Sequence, residues 1–359
     1  MDIGILAQMK ERNLTGISKL IVGTIQEIMK VDDKNRYFFL GEERTLPIKL
    51  NKINILFDNN EQIKMDYMLY THPLNIVHSF CRPFSFSNRG CGKILTINDL
   101  RPLTHPEWGA KQAREYFDGP IRKTAIEADV ILAISEYTKK DIIEYYHVPE
   151  EKVKVVYCGL YPENVFNGKA KALNRSDIIS GNYILSVCAI DKNKNQEGTI
   201  RAFALFKQRN RECNLKLVLV GPIRNAEMFQ GVLKEFPDVR KDIIYTGYVS
   251  DEELVWLYHN AYAFMYASYY EGFGLPILEA LSTGCAVICS NATSMPEVGG
   301  DAVEYCNPYS VETIVDAIEN VVLNESRRVE LQEKALIQAQ KFSYKRAAEE
   351  TLEIYRMFQ

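Results

Sequence analysis

Tyr269 to Leu281 reads Tyr-Tyr-Glu-Gly-Phe-Gly-Leu-Pro-Ile-Leu-Glu-Ala-Leu. An apolar run ends near Ser268, two glycines follow, and Pro276 stands where a first helical turn would begin, so the order is strand, tight turn, helix. Free backbone N–H groups at such a helix start face a negative ligand, and a diphosphate is the natural occupant. Glu279 is expected in the first turn of that helix, eight residues after Glu271, so the two carboxylates can bracket a ligand at different heights. The same turn also serves as a plain strand-to-helix connection, and a first-turn glutamate is favoured by the helix dipole whatever its role.

Outward from this stretch, short apolar runs alternate with helical patterns, the signature of parallel βαβ units. The first half offers 2–7, 53–57, 76–80, 93–98, 130–135 and 153–158 as strands; the second offers 183–189, 216–220, 243–247, 263–267 and 286–290. Between them lies a polar stretch, 167–182, with Gly168, Asn174, Ser176 and Gly181, which reads as a linker. Residues 343–358 are helical by pattern, with Ala347, Leu352, Tyr355 and Met357 available to pack.

Composition narrows the function. The 359 residues are 47% hydrophobic and 25% charged, enough for two domains with real cores. Lys and Arg number 43 against 47 Asp and Glu, a net charge of −4, which offers no basic field for nucleic acid. Residues 1–170 carry +1 and the remainder −5. Eight scattered cysteines without a Cys-x-x-Cys pair read as small buried hydrophobes of a reducing cytoplasm. Neither a signal peptide nor a membrane span is expected. Lys111, Arg114, Arg122 and Lys123, interleaved with Trp108, Tyr116 and Phe117, read either as a solvated helix face or as a peripheral contact with an anionic membrane. His78 reads as a substrate contact or, equally, a hydrogen-bonded structural histidine. No metal-ligand spacing occurs among the histidines, and no Asp-x-Asp triplet occurs to hold a diphosphate-bound cation. Most tyrosine and phenylalanine rings read as core; Tyr269, Tyr270 and Phe273 are expected to flank the ligand.

The Glu271-to-Glu279 stretch resembles the Glu-x7-Glu signature of the retaining family-4 glycosyltransferases. Around it, Gly247 to Leu254 with Leu257, Tyr258 and Ala261 is similar to the turn and helix that hold the nucleotide base. Asn291, Ser294 to Glu297, Gly299 to Ala302 and Pro308 match the segment after the signature, and Asp191 to Asn195 with Arg201-Ala202-Phe203 resembles the Lys-Asn motif. In the first half, Thr15-Gly16-Ile17-Ser18 resembles the glycine loop after the first strand. Thr96 to Leu100, His105 to Glu107, Ser135 to Thr138, Val148-Pro149 and Lys152-Val153 continue the likeness.

The resemblance implies an α/β, GT-B fold: two Rossmann-like domains with parallel sheets facing across a cleft, 1–172 binding acceptor and 173–342 binding donor. Helix 343–359 would return to the N-terminal domain. It implies a metal-independent hexosyltransferase without cofactor, moving a hexose or 6-deoxyhexose from a nucleotide-diphospho sugar to a saccharide or lipid-linked saccharide in cell-surface polysaccharide synthesis. Lys194 would meet the diphosphate, Glu271 the sugar, Glu279 the ribose and Val249 the base, with Gly16, Gly272, Phe273, Gly274 and Leu275 lining the donor.

Two residues depart from the family pattern. Ala189 stands where many members have Arg or Thr, which shifts diphosphate binding toward backbone N–H groups. Asn98 stands where the family has a histidine against the donor sugar near C6; it keeps a donor and an acceptor but cannot carry a proton. A catalytically inactive sugar-nucleotide-binding subunit, or a GT-B epimerase or phosphorylase, is the alternative reading.

Overall fold

The computed structural model describes residues 1–7, 16–40, 53–55, 73–83, 90–160 and 182–359. They fall into two compact units, Met1–Tyr161 with Ser343–Gln359, and Pro162–Phe342. The expected linker and the 172/173 boundary lie in 161–181, outside the described residues but for Asn182.

The first unit is built on seven parallel strands: β1 (Asp2–Leu6), β2 (Arg36–Leu40), β3 (Ile53–Ile55), β4 (Ile76–Phe80), β5 (Gly92–Ile97), β6 (Val130–Ala133) and β7 (Val153–Val155), ordered β3-β2-β1-β4-β5-β6-β7. Its helices are α1 (Gly16–Val31), α2 (Arg101–Thr104), α3 (Lys111–Tyr116), α4 (Arg122–Glu127) and α5 (Glu136–Tyr146). A π turn, Phe117–Ile121, joins α3 to α4.

The second unit holds β8 (Tyr183–Val187), β9 (Lys216–Val220), β10 (Ile243–Gly247), β11 (Ala263–Tyr266), β12 (Val287–Ser290) and β13 (Val303–Cys306), all parallel, in the order β10-β9-β8-β11-β12-β13. Its helices are α6 (Gln196–Arg209), α7 (Ala226–Glu235), α8 (Asp251–Asn260), α9 (Leu275–Ser282), α10 (Met295–Gly299), α11 (Val311–Val322) and α12 (Glu325–Ala339). The last helix, α13 (Tyr344–Arg356), belongs to the first unit, where the Tyr355 hydroxyl meets His78 at 2.6 Å.

Parallel strands covered on both faces are nearly continuous in apolar residues. Every residue of Ile76–Phe80 and Val287–Ser290 is buried, and Ile314, Val315, Ile318 and Val321 line the inward face of α11. Helix starts are set by side chains: Ser135 caps α5, Ser250 and Glu253 form a reciprocal capping box on α8, and Ser343 caps α13.

Two strands go beyond the apolar-run reading. β2 opens on Arg36, which is exposed and paired with Asp2. β13 contains Glu304, whose carboxylate is taken up by Arg327 at 2.9 Å, so a charge sits inside a strand of four residues. In each sheet the order reverses at one place, between β1 and β4 and between β8 and β11. Outside the carboxyl ends of the strands at such a switch point lies the crevice where open α/β sheets bind ligands.

Candidate active site

Lys194 and Glu271 meet at the switch point of the second unit. The chain leaves β8 into residues 188–195, where Asp191 caps a single 3-10 turn, Lys192–Lys194. Asn195 follows in the left-handed region, φ 51°, and ties three strand-end loops together. Its Oδ1 accepts the Gly198 N–H at 3.2 Å, starting α6, while Nδ2 donates to the carbonyls of Ala267 (3.0 Å) and Pro308 (2.8 Å). The Asn193 carbonyl accepts from the Tyr269 N–H at 3.2 Å and the Ser268 hydroxyl at 3.1 Å. Lys194 is thus mounted on a turn held through Asn193 and Asn195 to the loops after the neighbouring strands.

The neighbouring strand β11 delivers the counterpart. Lys194 Nζ donates to both oxygens of Glu271, at 2.7 and 2.8 Å, and the Tyr266 hydroxyl donates to Glu271 Oε1 at 2.7 Å. Burial, then the adjacent Glu271 charge, pushes the Tyr266 phenol well above its ordinary pKa, so it stays a donor. The pair is half-buried, with 22% of the Lys194 side chain and 13% of Glu271 exposed.

After Glu271 the chain turns through Gly272, Phe273 and Gly274. Gly274 takes φ 116°, a conformation open to glycine and strained for any other residue, and no side chain caps α9 behind it. Pro276 occupies the first turn as expected. Glu279 does not: α9 begins at Leu275, so Glu279 is its fifth residue, in the second turn, and the buried Tyr258 hydroxyl donates to its Oε2 at 3.0 Å. Burial and the Glu279 charge hold that phenol protonated. Tyr270 and Phe273 are core residues, 1% and 3% exposed, and Phe273 packs edge-on against Phe342. What Phe273 can offer a ligand is backbone, because its ring is needed under the turn. Tyr269 is half-buried and stacks on Tyr309.

Val249 lies half-buried between β10 and the Ser250 cap of α8. Ala189 contributes no charge, but its neighbour Cys188 reveals a contact unforeseen from sequence: a Cβ at Gly221 (φ 129°) would fall 2.3 Å from the Cys188 carbonyl, so glycine alone lets the loop after β9 press on the lysine loop. The Gly-Pro pair closing the Lys216–Val220 run was the available signal. Tyr266 and Thr293 were missed as well; nothing in the order of residues joins either to Glu271.

Gly16 and Asn98 belong to the first unit. Gly16 is the first residue of α1, and Thr15 lies outside the described residues. Asn98 follows β5, is 7% exposed, and neither side-chain polar atom has a partner among the described residues; its carbonyl accepts from Thr138 Oγ1 at 3.3 Å. His78 is structural: one ring nitrogen meets the Tyr355 hydroxyl at 2.6 Å, the other Thr96 Oγ1 at 2.7 Å, and burial pushes its pKa down to about 3. On α3 and α4 the cations are largely answered from within, Lys111 by Glu115, Arg122 by Asp118 and Lys123 by Glu127. The cysteines are free thiols, five of them buried. No helix among the described residues is long and apolar enough to cross a membrane.

Residues 174–338 match the model of the glycosyl transferases group 1, and residues 49–164 that of glycosyltransferase family 4. The O-antigen chain mannosyltransferase B of Escherichia coli is 30% identical over 267 residues, covering 74% of this chain and 70% of that protein. The chain belongs to the family-4 glycosyltransferases.

This glycosyltransferase is also 29% identical over 269 residues to the serotype-specific mannosyltransferase WbdA of Escherichia coli, covering 72% of its own length but only 33% of WbdA. The solved structure of Anabaena Alr3699/HepE in complex with UDP superposes with a TM-score of 0.72 at 14% identity, over 99% of this chain and all of that one. At that identity the likeness concerns the fold, which is the two-domain GT-B fold.

Proposed function

We propose that this glycosyltransferase moves a hexose or 6-deoxyhexose, mannose first among the candidates, from a nucleotide-diphospho sugar to a saccharide or lipid-linked saccharide acceptor in cell-surface polysaccharide synthesis. Transfer proceeds with retention and without a metal ion. The observation that carries the reading is the Lys194–Glu271–Tyr266 cluster at the switch point of the second unit. The names of the two mannosyltransferase relatives favour mannose, and the UDP held by the HepE structure favours a nucleotide donor.

Bond breaking leaves an oxocarbenium-like sugar and loads negative charge onto the departing diphosphate, so stabilising that charge is the protein's main task. An ammonium has three protons, and two of Lys194's go to Glu271. The third remains for a phosphate oxygen, so Lys194 can serve the leaving group without releasing the carboxylate. The uncapped start of α9 adds backbone positive charge beside it. Glu271, held by Lys194 and Tyr266, is a hydrogen-bond acceptor for sugar hydroxyls and a poor nucleophile, which supports attack on the face from which the diphosphate departs. Glu279 takes the ribose and Val249 the base. Asn98 supplies a donor and an acceptor for the sugar near C6.

Release of nucleoside diphosphate from a panel of UDP-, GDP- and dTDP-sugars, with and without EDTA, tests the reading. EDTA-resistant release supports it; binding without release would assign the chain to the class of inactive binding subunits. A lipid-linked acceptor would bring the protein to a membrane surface in the cytoplasm. With the cations of 111–127 mostly paired in-helix, adsorption to anionic vesicles is expected at low ionic strength and lost by about 0.15 M salt.

A further inference from the structure

The loop after β12 is built around a conformation that its residue disfavours. Thr293 has φ 54°, in the left-handed region, where a β-branched side chain is an outlier. Such strain persists where surrounding contacts over-determine it, and it gathers at functional sites. The contacts here are specific. Thr293 Oγ1 accepts the backbone N–H of Glu271 at 3.1 Å. The buried Ser294 hydroxyl lies 2.9 Å from the Glu271 carbonyl and 2.8 Å from the Phe273 carbonyl, its one proton between them. Both peptide groups of Glu271 are therefore held from the neighbouring strand's loop, just where Lys194 and Tyr266 hold its carboxylate.

We propose that Thr293 is a positioning residue of this glycosyltransferase: its strained backbone exists to put a hydroxyl acceptor on the Glu271 N–H, with Ser294 fixing the other side. The proposal rests on the role given to Glu271 above and adds a second layer of control over where its carboxylate stands. A turn chosen for stability would carry Gly or Asn at this position, which the left-handed region accommodates at lower cost. Threonine supplies the hydroxyl at the expense of the backbone.

The test is a set of three variants, scored on the panel sugar that the unmodified protein turns over fastest, with Tm recorded for each. Thr293→Ser keeps the acceptor and should retain turnover within about twofold. Thr293→Val keeps the branched shape and loses the acceptor, and kcat should fall about fivefold, the equivalent of one neutral hydrogen bond. Thr293→Gly relieves the backbone and also loses the acceptor: kcat should fall as in the valine variant while Tm stays equal or rises. Loss of Tm together with turnover in the glycine variant would show that the threonine side chain holds the turn and not the Glu271 carboxylate, and that result, or full turnover in Thr293→Val, overturns the proposal. Glu271→Gln, run alongside, separates the two claims. An impaired Glu271→Gln with an intact Thr293→Val removes only Thr293, whereas an intact Glu271→Gln removes the reading of Glu271 and the proposal with it.

Discussion

Replacing Lys194 by alanine removes two charge-assisted hydrogen bonds from Glu271, at 2.7 and 2.8 Å, and leaves that carboxylate with the Tyr266 hydroxyl. Exposed ion pairs contribute about 0–1 kcal/mol, while breaking a fully buried pair costs about 3–5 kcal/mol. With 22% and 13% of the two side chains exposed, this pair lies between, and a loss of about 1–2 kcal/mol is expected. At about 2–4 °C per kcal/mol for a unit of this size, Tm should fall by about 2–8 °C and the protein remain folded. The kinetic effect is larger. In the proposed role the remaining ammonium proton meets charge that develops only as the diphosphate departs, and a charge-assisted bond of about 1.5–3 kcal/mol corresponds to about a 10- to 150-fold loss of kcat/KM. Coupled detection of nucleoside diphosphate, with circular dichroism to follow folding, measures both quantities. Turnover within threefold of the unmodified protein would refute the role of Lys194.

Glu279→Ala should raise the donor KM with little change in kcat and lower stability by about 1–3 kcal/mol, because the buried Tyr258 hydroxyl loses its acceptor; an unchanged KM in donor titrations would take Glu279 out of the ribose site. Asn98 is buried with both polar atoms unpartnered among the described residues, so Asn98→Leu should leave Tm unchanged or raise it while changing the ranking of donors in the sugar panel, and Asn98→His should also move that ranking; identical rankings in both variants would end its role in specificity. Burial pushes the pKa of His78 down to about 3 in the folded state, against 6.5 for a free imidazole, so the buried ring stays neutral, with a single N–H. The unfolded chain therefore binds the extra proton between those values, and stability falls as pH drops from 6.5 toward 3, by up to about 1.4 kcal/mol per pH unit. Thermal melts of His78→Gln between pH 6.5 and 4 should show a flatter dependence; parallel curves would place the effect elsewhere.

The parallel architecture was legible because strands buried on both faces are nearly continuous in apolar residues, as 183–187, 217–220 and 263–266 are but for Ser186. β2 and β13 were hidden by Arg36 and Glu304, charges that make sense only beside Asp2 and Arg327. The glycine turn after β11 was readable from Gly274 and Pro276, but the start of α9, and with it the turn that holds Glu279, was misplaced because boundaries depend on cap geometry. Phe273 and Tyr270 could not be sorted from the ligand-facing rings, since burial follows from packing that only the folded unit creates. The pairing of Lys194 with Glu271 joins residues 77 positions apart, set by the adjacency of β8 and β11 at the switch point. The left-handed backbone of Thr293 leaves no mark in the residue type; a threonine there argues against it.

The most direct test of the central claim is the anomeric configuration of the product. Proton NMR of a reaction between an α-linked nucleotide hexose, GDP-mannose first in the panel, and a mannose-containing acceptor should show a new α-anomeric signal growing as the donor signal declines. A β-anomeric product, or a panel in which no donor is consumed, would contradict retaining transfer at the Lys194–Glu271 site.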